Sequence, residues 1–186
     1  MKKRIELKYY MNVNNKEMIK NDLEKFFNHD SFNIKKLPYK ICSIYYDNYY
    51  LKSYHEKLDG NSIRSKVRVR FYKDNNTKFF FIEFKNKYGN FVLKNNLKIP
   101  MEYLEDFLKG NYLKIIKEMQ NDKIFEFINY IKKYNLKPII IIEYDRTAYF
   151  SKSDKNVRVT IDQNIFFSRY YLNYKNLINP LRVFNY

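Results

Sequence analysis

Residues 64–71 read Arg-Ser-Lys-Val-Arg-Val-Arg-Phe. In an extended strand successive side chains point to opposite faces, so Arg64, Lys66, Arg68 and Arg70 share one face while Val67, Val69 and Phe71 share the other. The apolar face belongs in a core. The cationic face is a line of like charges spaced roughly 7 Å apart. A sheet strand with this division is the element around which the rest of the chain is read.

The same division recurs on either side. The sequence predicts three strands in quick succession, over about 62–73, 77–87 and 90–99, joined at Asp74-Asn75-Asn76 and Tyr88-Gly89-Asn90, both short and turn-prone. In the second of these Glu83, Lys85 and Lys87 share a face, opposite Phe80, Ile82 and Phe84. In the third Lys94, Asn96 and Lys98 share a face. Further strands are expected at 3–11 (Ile5, Leu7 and Tyr9 against Arg4, Glu6 and Lys8), 39–47, 138–150 and 156–162. Tyr144 and Arg146 share a face of one, and Arg158, Thr160 and Asp162 a face of another. Helical periodicity predicts a helix from Asn14 or Asn15 to about Phe27, with Met18, Ile19, Leu23, Phe26 and Phe27 as its apolar stripe. A short helix or wide turn fits 49–59, and Pro100 to Tyr134 is helical. The pattern is α+β: one domain over residues 1–186, an antiparallel sheet with helices packed outside.

Composition agrees with a globular domain. Apolar residues make up 45% of the 186, and 20 Tyr and 16 Phe stand against 3 Gly and 4 Pro, which favours long strands and helices with few sharp turns. The 36 Lys and Arg against 20 Asp and Glu give a formal net charge of +16, a field that attracts nucleic acid, anionic membrane or phosphorylated small molecules. The one cysteine, Cys42, lies in an apolar run and reads as a small buried hydrophobe; with two isolated histidines it excludes a structural zinc site. Met1-Lys2-Lys3-Arg4 does not lead into a signal peptide, and the longest apolar run, 139–142, is too short to span a bilayer, so a cytoplasmic location is expected.

Charge alternation on a strand most often marks an ordinary solvated face. Several neighbouring strands presenting Arg and Lys argue for more, because such rows repel unless an anion answers them. Arginine also makes bidentate contacts with phosphate oxygens. A polyphosphate or nucleoside triphosphate is therefore the expected ligand, with Arg64, Lys66, Lys94, Lys98 and Tyr144 among the substrate-binding residues. The carboxylates on the same faces, Glu6, Glu83 and Asp162, either neutralise those rows by ion pairing or hold Mg²⁺ or Mn²⁺ for phosphate chemistry. Single-stranded RNA would suit a basic face interleaved with aromatics. Against it, the aromatics are expected mainly on the faces opposite the Arg rows, and no RNA-recognition motif is present.

Seven segments, taken together and in order, resemble the VTC domain, the polyphosphate polymerase domain of the triphosphate tunnel metalloenzyme (CYTH-like) superfamily. They are Arg4 to Tyr9, Ser43 to Asp47, Tyr54 to Gly60, Arg64 to Tyr72, Phe81 to Lys85, Tyr144 to Tyr149 and Val157 to Asp162. The resemblance implies an eight-stranded antiparallel tunnel barrel lined by basic residues. It implies that Lys8, Arg68, Arg70, Lys85, Arg146 and Arg158 grip phosphates as the catalytic set, with Glu6 and Glu83 near a divalent metal. The implied reaction moves the terminal phosphoryl group of ATP onto a polyphosphate chain. The first strand carries Glu-Leu-Lys rather than the longer ExExK pattern of the triphosphatase branch.

Residues 163–186 contain no Asp or Glu. The family continues past this point with a strand bearing a metal-binding glutamate and then a helix with a phosphate-contacting lysine. The expectation is a domain truncated relative to the family, with a tunnel open on one edge where a partner chain could complete it. The alternatives to a polymerase are a triphosphatase using the same tunnel and a non-catalytic polyphosphate-binding module.

Overall fold

The computed structural model describes residues 5–30, 37–73, 77–89, 91–154, 156–170 and 181–182. Its strands are β1 (Phe27–His29), β2 (Tyr39–Asp47), β3 (Ile63–Tyr72), β4 (Phe79–Tyr88), β5 (Phe91–Pro100), β6 (Lys137–Ser151), β7 (Arg158–Arg169) and β8 (Leu181–Arg182). Its helices are α1 (Lys16–Phe26), α2 (Lys52–Leu58), α3 (Leu104–Lys109), α4 (Tyr112–Met119) and α5 (Asp122–Lys133).

The strands form one antiparallel sheet in the order β5-β4-β3-β2-β6-β7-β8. The 15-residue β6 is its spine. One edge of β6 carries β2 along Lys137–Arg146 and then β1 along Tyr149–Ser151, while β7 pairs along the other edge. Register shifts at Tyr45/Tyr46 on the β2 side and at Glu143/Asp145 on the β7 side bend the spine, as bulges do, and Asn164 in β7 turns through φ 51° beside the second shift. The result is a curled half-barrel. Among the described residues β5 and β8 are not paired with each other, so the sheet is open rather than a closed tunnel.

The core fills the outer, convex side. Val67, Val69 and Phe71 of β3, Phe80, Ile82 and Phe84 of β4, and Cys42, Ile44 and Tyr46 of β2 meet Leu104, Phe107, Ile115, Ile124, Ile128 and Ile131 of the helices in one cluster. Each such side chain removed from water contributes about 1.5–3 kcal/mol, enough to hold short helices that would not form alone. Gly110, at φ +84°, ends α3 in the left-handed conformation that a β-carbon disfavours. Cys42 is a free buried thiol, its pKa pushed up by burial and secondarily by Glu143.

Three expectations are corrected. Residues 5–11 form no strand: Ile5 and Tyr9 are 91% and 83% exposed, and the segment meets the sheet through the Lys85–Glu6 ion pair instead of a backbone ladder. Without a partner edge an alternating segment has nothing to hold it extended. The apolar stripe of α1 is not buried either; Met18 and Phe26 face solvent, and Phe27 has already left the helix for β1. The strand expected at 156–162 runs on to Arg169. Arg4, the Asp74-Asn75-Asn76 turn and Asn90 lie outside the described residues, as does most of the tail beyond Tyr170.

Candidate anion-binding face

The inner, concave face is built by register. Across β2–β3–β4–β5 the row Tyr45–Arg68–Glu83–Asn96 lies next to the row Ser43–Arg70–Phe81–Lys98 on one side and Lys66–Lys85–Lys94 on the other. On β2, β3 and β4 these positions alternate with core positions, so burying Val67, Val69, Ile82 and Phe84 is what turns the cations of those strands inward. Beyond Lys66 the line ends with Arg64, whose Nη1 donates to the carbonyl of Asn61 at 2.8 Å.

Glu83 organises the centre. It is 2% exposed, and its Oε2 accepts from Arg68 Nε at 2.7 Å and lies 2.6 Å from Arg68 Nη2. Its Oε1 lies 2.9 Å from Arg70 Nη2 and 3.0 Å from Lys94 Nζ. Burial works to raise the carboxyl pKa, but Arg68, Arg70 and Lys94 together outweigh it and hold the group below its usual value. Burial pulls the Lys94 ammonium down, with Glu83 opposing.

Aromatic rings support the guanidiniums. Arg68 lies over Tyr45 with Nη1 donating to its hydroxyl at 3.1 Å, and Arg70 lies over both Tyr72 and Phe81. Arg146 lies over Tyr144, Arg158 over Phe150, and the Lys98 ammonium is 3.7 Å from the Phe79 ring centroid. Each stacked pair holds a long side chain in place against the inner face. The expected separation of aromatics from the Arg rows is therefore corrected at Tyr45, Tyr72 and Phe81, which lie on the cationic face engaged with guanidiniums, while Tyr144 shares a face with Arg146 as expected. For Tyr45 the sequence hides this because β2 is apolar on both faces, whereas Tyr72 and Phe81 simply continue the alternation of Arg70 on β3 and Glu83 on β4.

The remaining candidates sit to either side. Arg146 makes a bidentate pair with Asp162, at 2.6 and 2.7 Å, and Arg158 donates to Asp30 at 3.0 Å and to the Tyr39 hydroxyl at 3.4 Å. Lys85 donates to Glu6 at 2.7 Å, with Lys8 3.6 Å from the same carboxylate; the Lys85 hydrogen bond is the main reason Glu6 titrates below its usual value. Lys66 makes no ion pair among the described residues, and burial, then Lys57 and Arg64, push its pKa down. The geometry thus joins Arg68, Arg70, Lys94 and Glu83 in one cluster, Lys85, Lys8 and Glu6 in a second, and Arg146, Tyr144 and Asp162 in a third. Ser43, Tyr45, Tyr39 and Asp30 belong to the same face and were not singled out from the sequence. Ser43 and Tyr45 could be found only once the β2–β3 register is known.

The acidic residues do not fit a resident metal cage. Glu83, Glu6 and Asp162 are each committed to cations in separate clusters, and no group of three or more His, Cys, Asp or Glu side chains among the described residues converges on a point.

An open antiparallel half-barrel with an arginine- and lysine-lined inner face, backed by helices, is the class that this fold and site define. The chain belongs to the VTC domain family, whose model matches residues 3–184. It is 26% identical over 144 residues to vacuolar transporter chaperone complex subunit 4 of Schizosaccharomyces pombe, an alignment covering 67% of this chain and 20% of that protein. The chain thus spans about a fifth of the length of that relative. A solved structure from Bacillus halodurans, described as a "putative adenylate cyclase", superposes with a TM-score of 0.45 at 11% identity, covering 87% of this chain and 70% of that one. No helix among the described residues is long and apolar enough to cross a membrane.

Proposed function

We propose that this domain binds a triphosphate or polyphosphate along its inner face and transfers the terminal phosphoryl group of ATP to a growing polyphosphate chain. The observation that carries the reading is the concentration of Arg68, Arg70, Lys66, Lys85 and Lys94 on three adjacent strands, with Glu83 the one buried carboxylate between them. In the transfer, a terminal oxygen of the chain attacks the γ-phosphorus of ATP, the bond to the β-phosphate oxygen breaks, and ADP leaves. Phosphoryl transfer asks little covalent chemistry of the protein; it asks for alignment and for cations around the spreading negative charge. Arg68, Arg70 and Lys94 supply these at the centre, Lys8 and Lys85 on one side, Arg146 and Arg158 on the other. Arg64, Lys66, Lys98 and Tyr144 extend the track for the chain. A divalent ion enters as part of the Mg²⁺–ATP or Mn²⁺–ATP substrate, held mainly by phosphate oxygens and water.

A second reading, a polyphosphate-binding module without turnover, is favoured by the pairing of every acidic inner-face candidate with a cation. The unpaired outer edge of β5 among the described residues is where a second chain could complete the enclosure. The test is to incubate purified protein with ATP and Mn²⁺ or Mg²⁺, following polymer on a gel and free phosphate by colour. Polymer is the expected product. Phosphate without polymer identifies a triphosphatase, and binding of labelled polyphosphate with no product identifies the binding module.

A further inference from the structure

Glu83 is one of the two carboxylates that the family resemblance would place beside a metal, yet its ion-pair partners are three cations. We propose that Glu83 is a built-in anion that stands where a phosphate group docks and presets Arg68, Arg70 and Lys94 for it, rather than a ligand of a divalent metal. The inference rests on the reading that the inner face binds phosphate.

The donor count argues for it. Each Glu83 oxygen already faces two cationic nitrogens, at 2.6 and 2.7 Å on Oε2 and at 2.9 and 3.0 Å on Oε1. A divalent ion would have to approach lone pairs directed at three positive side chains, with neither Glu6 nor Asp162 in the cluster to offset the repulsion. A phosphate meets the opposite field.

Unused donors point the same way. Arg70 Nε and Ser43 Oγ are buried without a hydrogen-bond partner, and they stand opposite each other in the β2–β3 pairing. Ser43 is 0% exposed. Orphaned buried donors are uncommon and costly, so a pair of them side by side calls for an acceptor. Glu83 cannot serve both sides with two oxygens, whereas a tetrahedral phosphate brings more. The Oε1 half of the cluster is also the looser one: its two contacts lie within ion-pair distance, yet that oxygen has no well-directed hydrogen bond. An arriving phosphate therefore exchanges with the carboxylate on the Arg70–Lys94 side, entering past the half-exposed Lys94.

Calorimetry on the full chain separates the two roles, using tripolyphosphate in EDTA and, separately, Mn²⁺ alone. Removing the competing anion in Glu83→Gln should tighten tripolyphosphate binding by about tenfold or more, because a unit charge among three cations is worth several-fold more than the alignment it provides. Mn²⁺ binding should not change. Lys94→Met, a substitution at the half-exposed end of the cluster that does not depend on Glu83→Gln folding, should weaken tripolyphosphate by about tenfold for one lost charge-assisted contact, again with Mn²⁺ unchanged. Weaker tripolyphosphate binding in a Glu83→Gln that is folded at the titration temperature and unfolds cooperatively, loss of Mn²⁺ binding in that variant, or a gain of Mn²⁺ binding in Lys94→Met would each overturn the inference. Failure of the wild-type protein to bind tripolyphosphate would instead overturn the phosphate-binding reading beneath it.

Discussion

Lys66 shows what one residue on the inner face costs and supplies. It lies on β3 across from Lys85, and burial, followed by Lys57 and Arg64, lowers its pKa. A lysine whose folded-state pKa is depressed is destabilising while charged. That cost is present at neutral pH and is relieved only as the pH rises through the folded-state value. No ion pair within reach among the described residues compensates it, whereas a phosphate on the inner face would. Lys66→Met should therefore raise the melting temperature by a few degrees and weaken tripolyphosphate binding by about 1.5–3 kcal/mol, the range for a charge-assisted hydrogen bond. Calorimetric melting and titration of the same sample check both halves. A lower melting temperature would mean that the free protein already stabilises this charge.

At the scale of elements, the inner face is positioned by α3, α4 and α5, which pack on the opposite side of the sheet. Phe107 of α3 is fully buried and packs on Tyr46 of β2, Phe80 of β4 and Tyr112 of α4. Phe107→Ala should destabilise the domain by about 3–5 kcal/mol, seen as a lower urea midpoint. Because the core face and cationic face of β3 and β4 are alternate residues of the same strands, anion affinity at low urea should fall with it only as the folded fraction falls. The alternation that makes this true is also why β3, β4 and β5 could be read from the sequence, along with which of their residues point inward. β2 could be bounded but not oriented: Ile41, Cys42, Ser43, Ile44, Tyr45 and Tyr46 are apolar or small on both faces, as in a strand covered on two sides. Ser43 and Tyr45 thus escaped notice. Residues 5–11 are misread for the opposite reason, since their alternation is clear but no edge among the described residues pairs with them, and period alone cannot supply a partner. The ion pairs of Glu6, Glu83 and Asp162 were one of two roles the sequence allowed; cross-strand register selects it for Glu83 and Asp162, and the contact with Lys85 selects it for Glu6, which lies on no strand.

The whole molecule carries a net charge of +16 and concentrates cations on one concave surface, so its compact state works against self-repulsion. Glu83 is the inner-face carboxylate buried most deeply against that field. Its pKa is held below the ordinary value in the folded protein, so its contribution to stability is fully present above the unfolded-state value of about 4.3 and is lost as the pH falls through the folded-state value. Glu6, largely exposed, shifts in the same direction but its ion pairs are screened by solvent and contribute little. Acidification should therefore lower the melting temperature steeply below about pH 4.3, as Glu83 gains a proton while Arg68, Arg70 and Lys94 keep theirs. In Glu83→Gln that acid-sensitive component should be absent, leaving a shallower pH profile on a lower plateau. Tripolyphosphate, still anionic in this range, should restore wild-type stability under acid by answering the same three cations. Sodium chloride at matched ionic strength should restore much less, because screening weakens the repulsion without filling the cluster. A wild-type profile as shallow as that of Glu83→Gln, in melts from pH 7 to pH 3, would show that the buried carboxylate does not hold the inner face together.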